Sequence, residues 1–392
     1  MNRALRAPAV AALLTTVTAS GLWAAPQTRS LRHTFPAGAA ELQLANLAGR
    51  VELIKGTGKE VVVEATIYAE ASSADKTRQL LDGMKWVKAR DKKGHPEWAL
   101  SYPVERYDAF HYPRVNKDED LPAFLTWLDV GHTSTTYRGK RVRLYSKKRA
   151  STPTLYADLR IALPAASNVV VRNVVGSVRG GDLEGTLTVD TGAGDVRLAS
   201  YAGRLVVDTG SGDVTLGSVK GETLVDTGSG DVSIKRLVGN GSVDTGSGDV
   251  VVENVSAGKL AIDTGSGDVT VRGGVAAIVS ADTGSGNVHI EGVELEELNA
   301  DTGSGNVVVV SSLSKARKVV ADTGSGDIRI RASANASFDI ESDQGSGDLV
   351  VGYSDATLRR SGRKVVGARR GDGRTVIRVE TGSGDCVISP KG

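Results

Sequence analysis

The 392-residue sequence is poor in cysteine and in aromatic residues. Its one cysteine, Cys386, lies near the end of the chain, which excludes an internal disulfide and a lipid anchor at a mature N-terminal cysteine. Aromatic residues make up 4% of the chain, although such side chains normally supply much of the area buried in a globular core. Glycine is abundant instead, with 48 residues. A repeat architecture is the usual reason for such a composition.

Long hydrophobic runs are also missing after the first 25 residues. Within this leader, Arg3 and Arg6 precede an apolar run from about Ala7 to Val17 and then small residues, which is typical of a secretory signal peptide. The run is too short for a transmembrane helix. We therefore expect residues 1–25 to be removed and the mature chain to be exported, to the periplasm or the cell surface, without a transmembrane segment.

A dominant charge of one sign is absent as well. Two of the 48 basic residues lie in the leader, which leaves 46 basic and 46 acidic side chains in the mature chain. A neutral exported chain without aromatic residues among its basic ones is not expected to bind nucleic acid. The G-x-S-x-G, P-loop and dinucleotide fingerprints are missing too. An electrostatic partner must therefore recognise a local patch.

What the sequence does contain is a serial repeat of the motif D-T-G-S-G-D. Its first aspartate recurs every 18 to 21 residues, and Glu380 takes its place in a final copy. Apolar residues alternate on both sides, as in Leu205 and Val207 before one motif and Val214 and Leu216 after it, which predicts strands with one buried face. The first aspartates of the copies are Asp190, Asp208, Asp226, Asp244, Asp263, Asp282, Asp301, Asp322 and Asp343.

Each copy is predicted to form one coil of a β-solenoid. A unit of about nineteen residues cannot bury its few aliphatic side chains alone, so the coils must stack at about one strand spacing of ~4.8 Å. We expect an all-β fold of the single-stranded parallel β-helix type, with 18–21 residues per coil, over residues 156–392. The first coils are predicted at residues 26–69, where residues 42–53 show the same alternation around Gly49.

Residues 70–155 interrupt the repeat and have a different composition. They hold three of the four tryptophans, most of the tyrosines and three of the five histidines. Residues 72–88 predict a short amphipathic helix that begins at a capping box formed by Ser72 and Asp75. We therefore expect a small aromatic α+β insertion between the coils.

The letters D-T-G-S also mark the catalytic loop of pepsin-like aspartic proteases. Such a site needs two facing aspartates that share one proton. Here the motif occurs on every coil, so the aspartates are expected to lie along one edge. We reject a protease and interpret the first aspartate as a turn former that accepts hydrogen bonds from the following amides.

A second polar residue follows each turn, and it is aspartate in most copies but asparagine at Asn287 and Asn306. This exchange indicates that hydrogen bonding matters more than charge there. Calcium is the weaker alternative, because it prefers carboxylate and carbonyl ligands, whereas the known calcium-binding solenoids repeat about every nine residues. We expect no cofactor.

Histidines and basic clusters are the other candidate sites. His95, His111 and His132 match no metal-ligand spacing and are interpreted as packing or surface residues. The clusters are interpreted as solvated strand edges or, alternatively, as contacts with anionic envelope polymers or lipid head groups. The first contains Arg138, Lys140, Arg141, Arg143, Lys147, Lys148 and Arg149, and the second contains Arg359, Arg360, Arg363, Lys364, Arg369, Arg370 and Arg374.

Four features carry a family resemblance: ELQLANLAGRVEL at residues 41–53, YADLRIALPA at 156–165, the serial DTGSGDV units, and the closing RVETGSGDCVIS at 378–389. Together they resemble the bacterial putative-adhesin family of exported β-strand-repeat proteins, whose function is unknown. The resemblance covers nearly the whole mature chain. It implies a β-solenoid and an adhesin role, and it brings no catalytic residues.

We therefore expect a non-catalytic envelope protein, an adhesin or binding scaffold with an envelope protein or glycan as partner. A polysaccharide-active β-helix enzyme is the alternative, and it requires unlike acids and bases on adjacent coils. Repeated coils present the same side chains at every level, so recognition is expected in the insertion and the first basic cluster. The candidate binding residues are Trp86, Trp98, Trp127, Arg141 and Arg143.

Overall fold

The computed structural model describes residues 26–38, 40–113, 133–165 and 167–391. The predicted leader lies outside these residues. The chain forms two compact units that divide between Ser211 and Gly212. In the described part of the chain, no helix combines the length and the apolar character needed to cross a membrane.

The first unit contains strands β1 to β14 and helix α1. In chain order these are β1 (Gln27–Pro36), β2 (Leu42–Ala48), β3 (Val51–Gly56), β4 (Glu60–Glu70), α1 (Ala74–Gly83), β5 (Trp86–Arg90), β6 (Pro96–Leu100), β7 (Ala109–His111), β8 (Thr133–Tyr137), β9 (Lys140–Tyr145), β10 (Thr154–Pro164), β11 (Ser167–Val175), β12 (Val178–Gly180), β13 (Leu183–Ala193) and β14 (Val196–Thr209).

Parallel coils in the first unit stack as the repeat predicts. Strand β2 pairs with β11, β11 with β13, and β13 with β14 in parallel register, which brings Asp190 beside Asp208. On the other side of the coil, β3 pairs in parallel with β10 and β12. The early coil at residues 42–53 therefore belongs to the same stack as the later repeats. An antiparallel sheet of β1, β4 and β10 lies beside it.

Helix α1 is shorter than the amphipathic pattern predicts. Its N-cap is Ser73 instead of Ser72, and the Ser73 hydroxyl accepts a hydrogen bond from the Lys76 amide. The helix ends at Gly83, and Met84 is its buried C-cap. Residues 86–90 form β5 instead of a last helical turn, because they pair antiparallel with β6, and this cross-strand pairing outweighs the local helical periodicity.

A buried polar network ties the insertion to the first coils. The Tyr102 hydroxyl donates to Asn46 Oδ1 at 2.9 Å, and Asn46 Nδ2 donates to Asn173 Oδ1 at 3.0 Å and to the Ala157 carbonyl at 2.9 Å. Asn173 Nδ2 donates in turn to the Gly49 carbonyl at 2.8 Å. Because these buried groups are paired, the network fixes the insertion in one arrangement.

The second unit contains the remaining strands. These are β15 (Val214–Lys220), β16 (Thr223–Thr227), β17 (Val232–Val238), β18 (Gly241–Thr245), β19 (Val250–Thr264), β20 (Val269–Thr283), β21 (Val288–Thr302), β22 (Val307–Val310), β23 (Lys318–Thr323), β24 (Ile328–Ala332), β25 (Phe338–Gln344), β26 (Leu349–Val351), β27 (Thr357–Ser361), β28 (Lys364–Arg370), β29 (Thr375–Thr381) and β30 (Cys386–Pro390).

Its coils are parallel and in register. Strand β19 pairs with β20 from Val250 opposite Val269 to Thr264 opposite Thr283, and β20 pairs with β21 in the same way. The inward side chains of successive coils, such as Val250 and Val269, are fully buried. Stacking of these aliphatic rows supplies the core that a single coil lacks.

The end of this unit departs from the chain order that the repeat predicts. Strand β29 lies between β23 and β25, so Glu380 is beside both Asp322 and Asp343. Strand β30 likewise lies between β24 and β26. The solenoid expected over residues 156–392 therefore continues here, but its last strands do not stack in chain order. The residues between β26 and β29 form an antiparallel hairpin, β27–β28, whose strand β28 pairs antiparallel with β25.

Candidate functional site

Threonine closes the T-G-S-G turns of the second unit. The Thr264 hydroxyl donates to the Gly248 carbonyl of the preceding coil at 3.0 Å and accepts from the Gly267 amide at 3.1 Å. Thr245 makes the same two bonds one coil earlier. The sequence interpretation gives this role to the first aspartate, whereas in these turns the threonine makes both hydrogen bonds. Strand alternation points threonine inward, at 1% exposure, and the preceding Asp263 outward.

Glycine is required in these turns because the backbone of the preceding coil leaves no space for a Cβ atom. A Cβ built on Gly248 would lie 1.9 Å from the Gly230 carbonyl oxygen of the preceding coil, and Gly267 has the same distance to Gly248. Left-handed backbone occurs instead at the second turn, where Gly221 and Gly239 have φ values of 125° and 114°. The two turns of a coil therefore need glycine for different reasons.

The polar residue after each turn links one coil to the next. Asp249 Oδ1 accepts from the Asp268 amide at 2.8 Å, and Asp268 Oδ1 accepts from the Asn287 amide at 2.7 Å. Asn287 Oδ1 accepts from the Asn306 amide at 2.9 Å. An amide oxygen accepts as a carboxylate does, which explains why asparagine occurs here.

The first aspartates of the second unit form a row of outward-facing carboxylates. They lie in register from coil to coil, as with Asp263 opposite Asp282 and Asp282 opposite Asp301. Partial burial raises the pKa of Asp282, and the neighbouring Asp301 raises it further. Partial burial and a neighbouring carboxylate of the row likewise raise the pKa values of Asp263, Asp301 and Asp322. A row of this kind differs from the facing pair of an aspartic protease.

The histidines of the insertion do not come together. His95 Nδ1 lies 3.1 Å from Asp91 Oδ2, whereas His111 Nδ1 lies 2.8 Å from Thr154 Oγ1. His132 lies outside the described residues. Over the residues that the structure places, no three or more histidine, cysteine, aspartate or glutamate side chains are grouped to hold a metal ion.

Two of the predicted binding tryptophans, Trp86 and Trp98, pack against β1. The Phe35 ring centroid lies 5.9 Å from that of Trp86 and 5.4 Å from that of Trp98. The Lys88 ammonium lies 5.5 Å from the Trp98 ring centroid. These contacts hold the β5–β6 hairpin against β1. Trp127 lies outside the described residues.

Two residues in the first half of the first basic cluster form ion pairs. Arg143 pairs with Asp108, and Lys140 Nζ lies 3.1 Å from Glu105 Oε2. Arg141 is exposed on β9 opposite Thr136. This strand therefore fits the interpretation of a charged, solvated surface.

Lys148 and Arg149 of the same cluster line a cleft of about 680 Å³. We call it the Lys148 cleft. The end of β4, the start of α1 and the loop between β9 and β10 build its walls. Its lining residues are Glu70, Ala71, Ser72, Lys76, Tyr107, Lys148, Arg149, Ala150, Ser151, Thr152 and Pro153.

Three cations and one carboxylate face this cleft. Lys148 pairs with Glu70, Lys76 Nζ lies 3.2 Å from Ser72 Oγ, and the Arg149 guanidinium lies 4.1 Å from the Tyr145 ring centroid. The cleft lining has an excess of two positive charges together with serine, threonine and tyrosine hydroxyls. This chemistry suits an anionic ligand that also carries hydroxyl groups.

Burial lowers the pKa of His111, and the neighbouring Lys148 ammonium lowers it further.

Sequence reasoning identified Lys148 and Arg149 but missed Glu70, Lys76 and Tyr107 as parts of the same site. These three residues lie about 40 to 80 positions before Lys148 in the chain, and no local pattern joins them to it.

A smaller groove of about 320 Å³ lies in the second unit. It is lined by three carboxylates of the outward-facing row, Asp322, Glu380 and Asp343, and by Glu341 and Arg378. Arg378 Nε donates to Glu341 Oε2 at 3.0 Å. Several carboxylates and one guanidinium therefore meet on adjacent strands at this groove.

Two solved structures show low similarity to the chain. The crystal structure of a putative cell adhesion protein from Clostridium sporogenes ATCC 15579 has 9% identity and a TM-score of 0.18, and the match covers 93% of this chain and 100% of that one. A putative adhesin from Bacteroides fragilis NCTC 9343 has 11% identity and a TM-score of 0.25, with 92% and 97% covered. TM-scores this low carry no argument about fold or function. No curated protein matches the chain.

A family model described as Toastrack DUF4097 matches residues 224–389, which lie in the second unit and make up less than half of the chain. The match spans the parallel repeats from β16 to β30 and includes the β27–β28 hairpin. It confirms the resemblance to a β-strand-repeat family of unknown function. Residues 224–389 of this chain are thus similar to the Toastrack DUF4097 family.

Proposed function

We propose that this chain is a non-catalytic, exported binding protein of the cell envelope, an adhesin-type scaffold whose Lys148 cleft holds an acidic glycan. The observation that carries this proposal is the excess of cations in a cleft of about 680 Å³ rich in hydroxyl groups. The leader pattern of residues 1–25 supports export. The repeat β-solenoid supplies length and rigidity to the scaffold.

The cleft chemistry fits the two groups that an acidic sugar presents. Lys148 and Arg149 can pair with a carboxylate or sulfate, and the Thr152 hydroxyl can bond to the sugar hydroxyls. Tyr107 offers a partly exposed ring to an apolar sugar face. Most glycoside hydrolases use a pair of carboxyl groups, whereas Glu70 is the one carboxylate among the described lining residues, and Lys148 already pairs with it.

Calorimetric titration of the mature protein with polygalacturonate and with neutral dextran tests this proposal. We expect polygalacturonate to bind and dextran to bind at least ~10-fold more weakly, because the cations add charge-assisted contacts. The variant K76Q/K148Q should lose most of that preference. The control K92Q/K93Q removes the same charge from the β5–β6 turn, where Lys92 and Lys93 are exposed, and should bind normally. Equal losses in both variants would show that only net charge matters.

The groove of the second unit favours the alternative of a polysaccharide-active enzyme. Asp322 and Glu380 on adjacent strands could act as an acid and a base. Reducing-end release from envelope polysaccharides by the wild type, together with its loss in D322N and in E380Q, would establish this activity. Absence of release across a broad substrate panel is expected if the protein only binds.

We also propose that the coils need no calcium. A backbone amide of the next coil already bonds to one oxygen of the polar residue after each turn, as at Asp249 and Asp268. Thermal melts with chelator and with millimolar calcium should superimpose, because a ligand that binds only the folded state raises its stability. A calcium-dependent rise in the melting temperature would contradict this.

A further inference from the structure

The β27–β28 hairpin departs from the parallel repeat of the second unit. All five residues of β27 are exposed. Gly362 at the turn has a φ of 61°, and a Cβ built on it meets no heavy atom within 4 Å. The turn of this hairpin therefore faces open solvent.

The net charge of the hairpin region has the opposite sign to that of the rest of the second unit. Residues 353–374 hold seven basic and two acidic side chains, a net charge of +5. The rest of residues 212–391 holds 12 basic and 23 acidic side chains, a net charge of −11. Positive charge is thus concentrated on the one segment that leaves the acidic coils.

Arginines at the base of the hairpin have structural partners. Arg359 Nη1 lies 2.6 Å from Asp339 Oδ1, and Arg369 Nη1 lies 3.1 Å from Asp339 Oδ2. Arg370 Nε lies 2.7 Å from Asp355 Oδ1. The two pairs with Asp339 fix the hairpin on the body of the unit, and the two carboxylates offset part of the charge of these three arginines.

The cations at the turn are different. Arg360 Nη1 donates to the Arg363 carbonyl at 3.4 Å, and Lys364 Nζ donates to the Gly345 carbonyl at 2.8 Å. In the described part of the chain, Arg360, Arg363 and Lys364 have no carboxylate partner. We call these three residues the tip cations. Leu358 lies two residues before Arg360 on β27 and is 39% exposed.

We propose that the tip cations bind the surface of an anionic lipid bilayer. A turn that faces open solvent can approach an extended charged surface, whereas it does not enclose a single small anion. Each cation near such a surface attracts the negative head groups, and the exposed Leu358 can contact the boundary between head groups and acyl chains. This site is independent of the Lys148 cleft.

Vesicle sedimentation of the mature protein tests the proposal. Vesicles of phosphatidylcholine mixed with phosphatidylglycerol should bind the wild type, and vesicles of phosphatidylcholine alone should not. The variant R360Q/R363Q/K364Q should bind the mixed vesicles about 100-fold more weakly, which corresponds to about 1 kcal/mol for each cation. Binding by the wild type should also weaken steeply as salt is raised.

A matched control removes three other exposed cations of the same unit. The variant K315Q/R317Q/K318Q changes the net charge equally, but Lys315 and Arg317 pair with Glu294 and Glu296. It should bind vesicles like the wild type. An equal loss in both variants would overturn the proposal, as would salt-independent binding by the wild type. Tighter binding to soluble dextran sulfate than to mixed vesicles would assign the tip cations to a polymer and overturn it too.

Discussion

The coils of the second unit and the insertion of the first unit use polar groups in opposite ways. In the coils, each contact is repeated, as in the paired hydrogen bonds of Thr245 and Thr264. In the insertion, each contact occurs once, as in the chain from Tyr102 through Asn46 to Asn173. A repeated contact stabilises a stack of any length, whereas a unique contact specifies one local arrangement.

This contrast indicates where in the molecule ligand recognition can arise. Equivalent coils offer equivalent surfaces, so they distinguish ligands poorly but hold their neighbours rigidly. The two cationic surfaces, the Lys148 cleft and the hairpin tip, both lie where the parallel repeat is interrupted. Substitutions in the coils should therefore reduce stability, whereas substitutions at the interruptions should reduce binding.

The largest expected effect is that of Gly248→Ala in the coils. The added Cβ would lie 1.9 Å from the Gly230 carbonyl oxygen, and backbone cannot yield as a flexible side chain does. We expect the free energy of unfolding to fall by about 3 kcal/mol or more, measured by denaturant titration.

Gly83→Ala is the matched control outside the coils. A Cβ on Gly83 meets nothing within 4 Å, so this change should alter stability by less than about 1 kcal/mol. If G248A were as mild as G83A, close approach of the coils would not explain the repeated glycine.

Thr264→Val should have the next largest effect. It leaves the buried Gly248 carbonyl and Gly267 amide without their hydroxyl partner while keeping the side-chain shape. The expected loss is about 1–3 kcal/mol. Thr270→Val changes an outward-facing, partly exposed threonine and should be nearly neutral. Equal stabilities of the two variants would argue that turn closure depends on the aspartate after all.

Local regularity made the coils predictable from sequence. Alternation with a period of two placed Leu205 and Val207 inside, and the repeat spacing placed Asp263 beside Asp282. The strand pattern around Gly49 also identified a coil far from the main repeat.

The pairing of strands that are far apart in the chain could not be predicted from the sequence. Nothing in the repeat spacing indicates that Glu380 lies between Asp322 and Asp343, because a strand inserted out of chain order keeps the same local pattern. The Lys148 cleft likewise depends on tertiary packing that brings Glu70 to Lys148. Sequence periodicity indicates which face of a strand is buried, but it does not indicate which strands pair with it.

Tyr102→Phe tests the unique network of the insertion. The change removes a buried hydroxyl that donates to Asn46 Oδ1 at 2.9 Å and to the Ala48 carbonyl at 3.1 Å. We expect a loss of about 1 kcal/mol in thermal or denaturant unfolding. Tyr107→Phe, at a partly exposed position, should change stability little. A neutral Y102F would show that the network tolerates loss of its hydroxyl and does not fix the insertion.

The smallest expected effect concerns the charge of the carboxylate row. Partial burial and Asp301 raise the pKa of Asp282 above its ordinary value of 3.8, so the folded state holds this proton more tightly than the unfolded state does. Charged Asp282 therefore costs stability at neutral pH, and the cost disappears as the pH falls through its raised pKa. After solvent screening, D282N should be more stable than the wild type by less than about 0.5 kcal/mol at pH 7, and the two should converge near pH 3.

Asp355 is the control with the opposite sign. Its hydrogen bond with Arg370 lowers its pKa, so D355N should be less stable than the wild type at neutral pH. That difference should shrink as the pH falls through the lowered pKa. Both comparisons can be made by denaturant titration between pH 7 and pH 3. We expect D282N to be stabilising and D355N to be destabilising at neutral pH. The same pH dependence in both variants would contradict the claim that like-charge repulsion destabilises the carboxylate row.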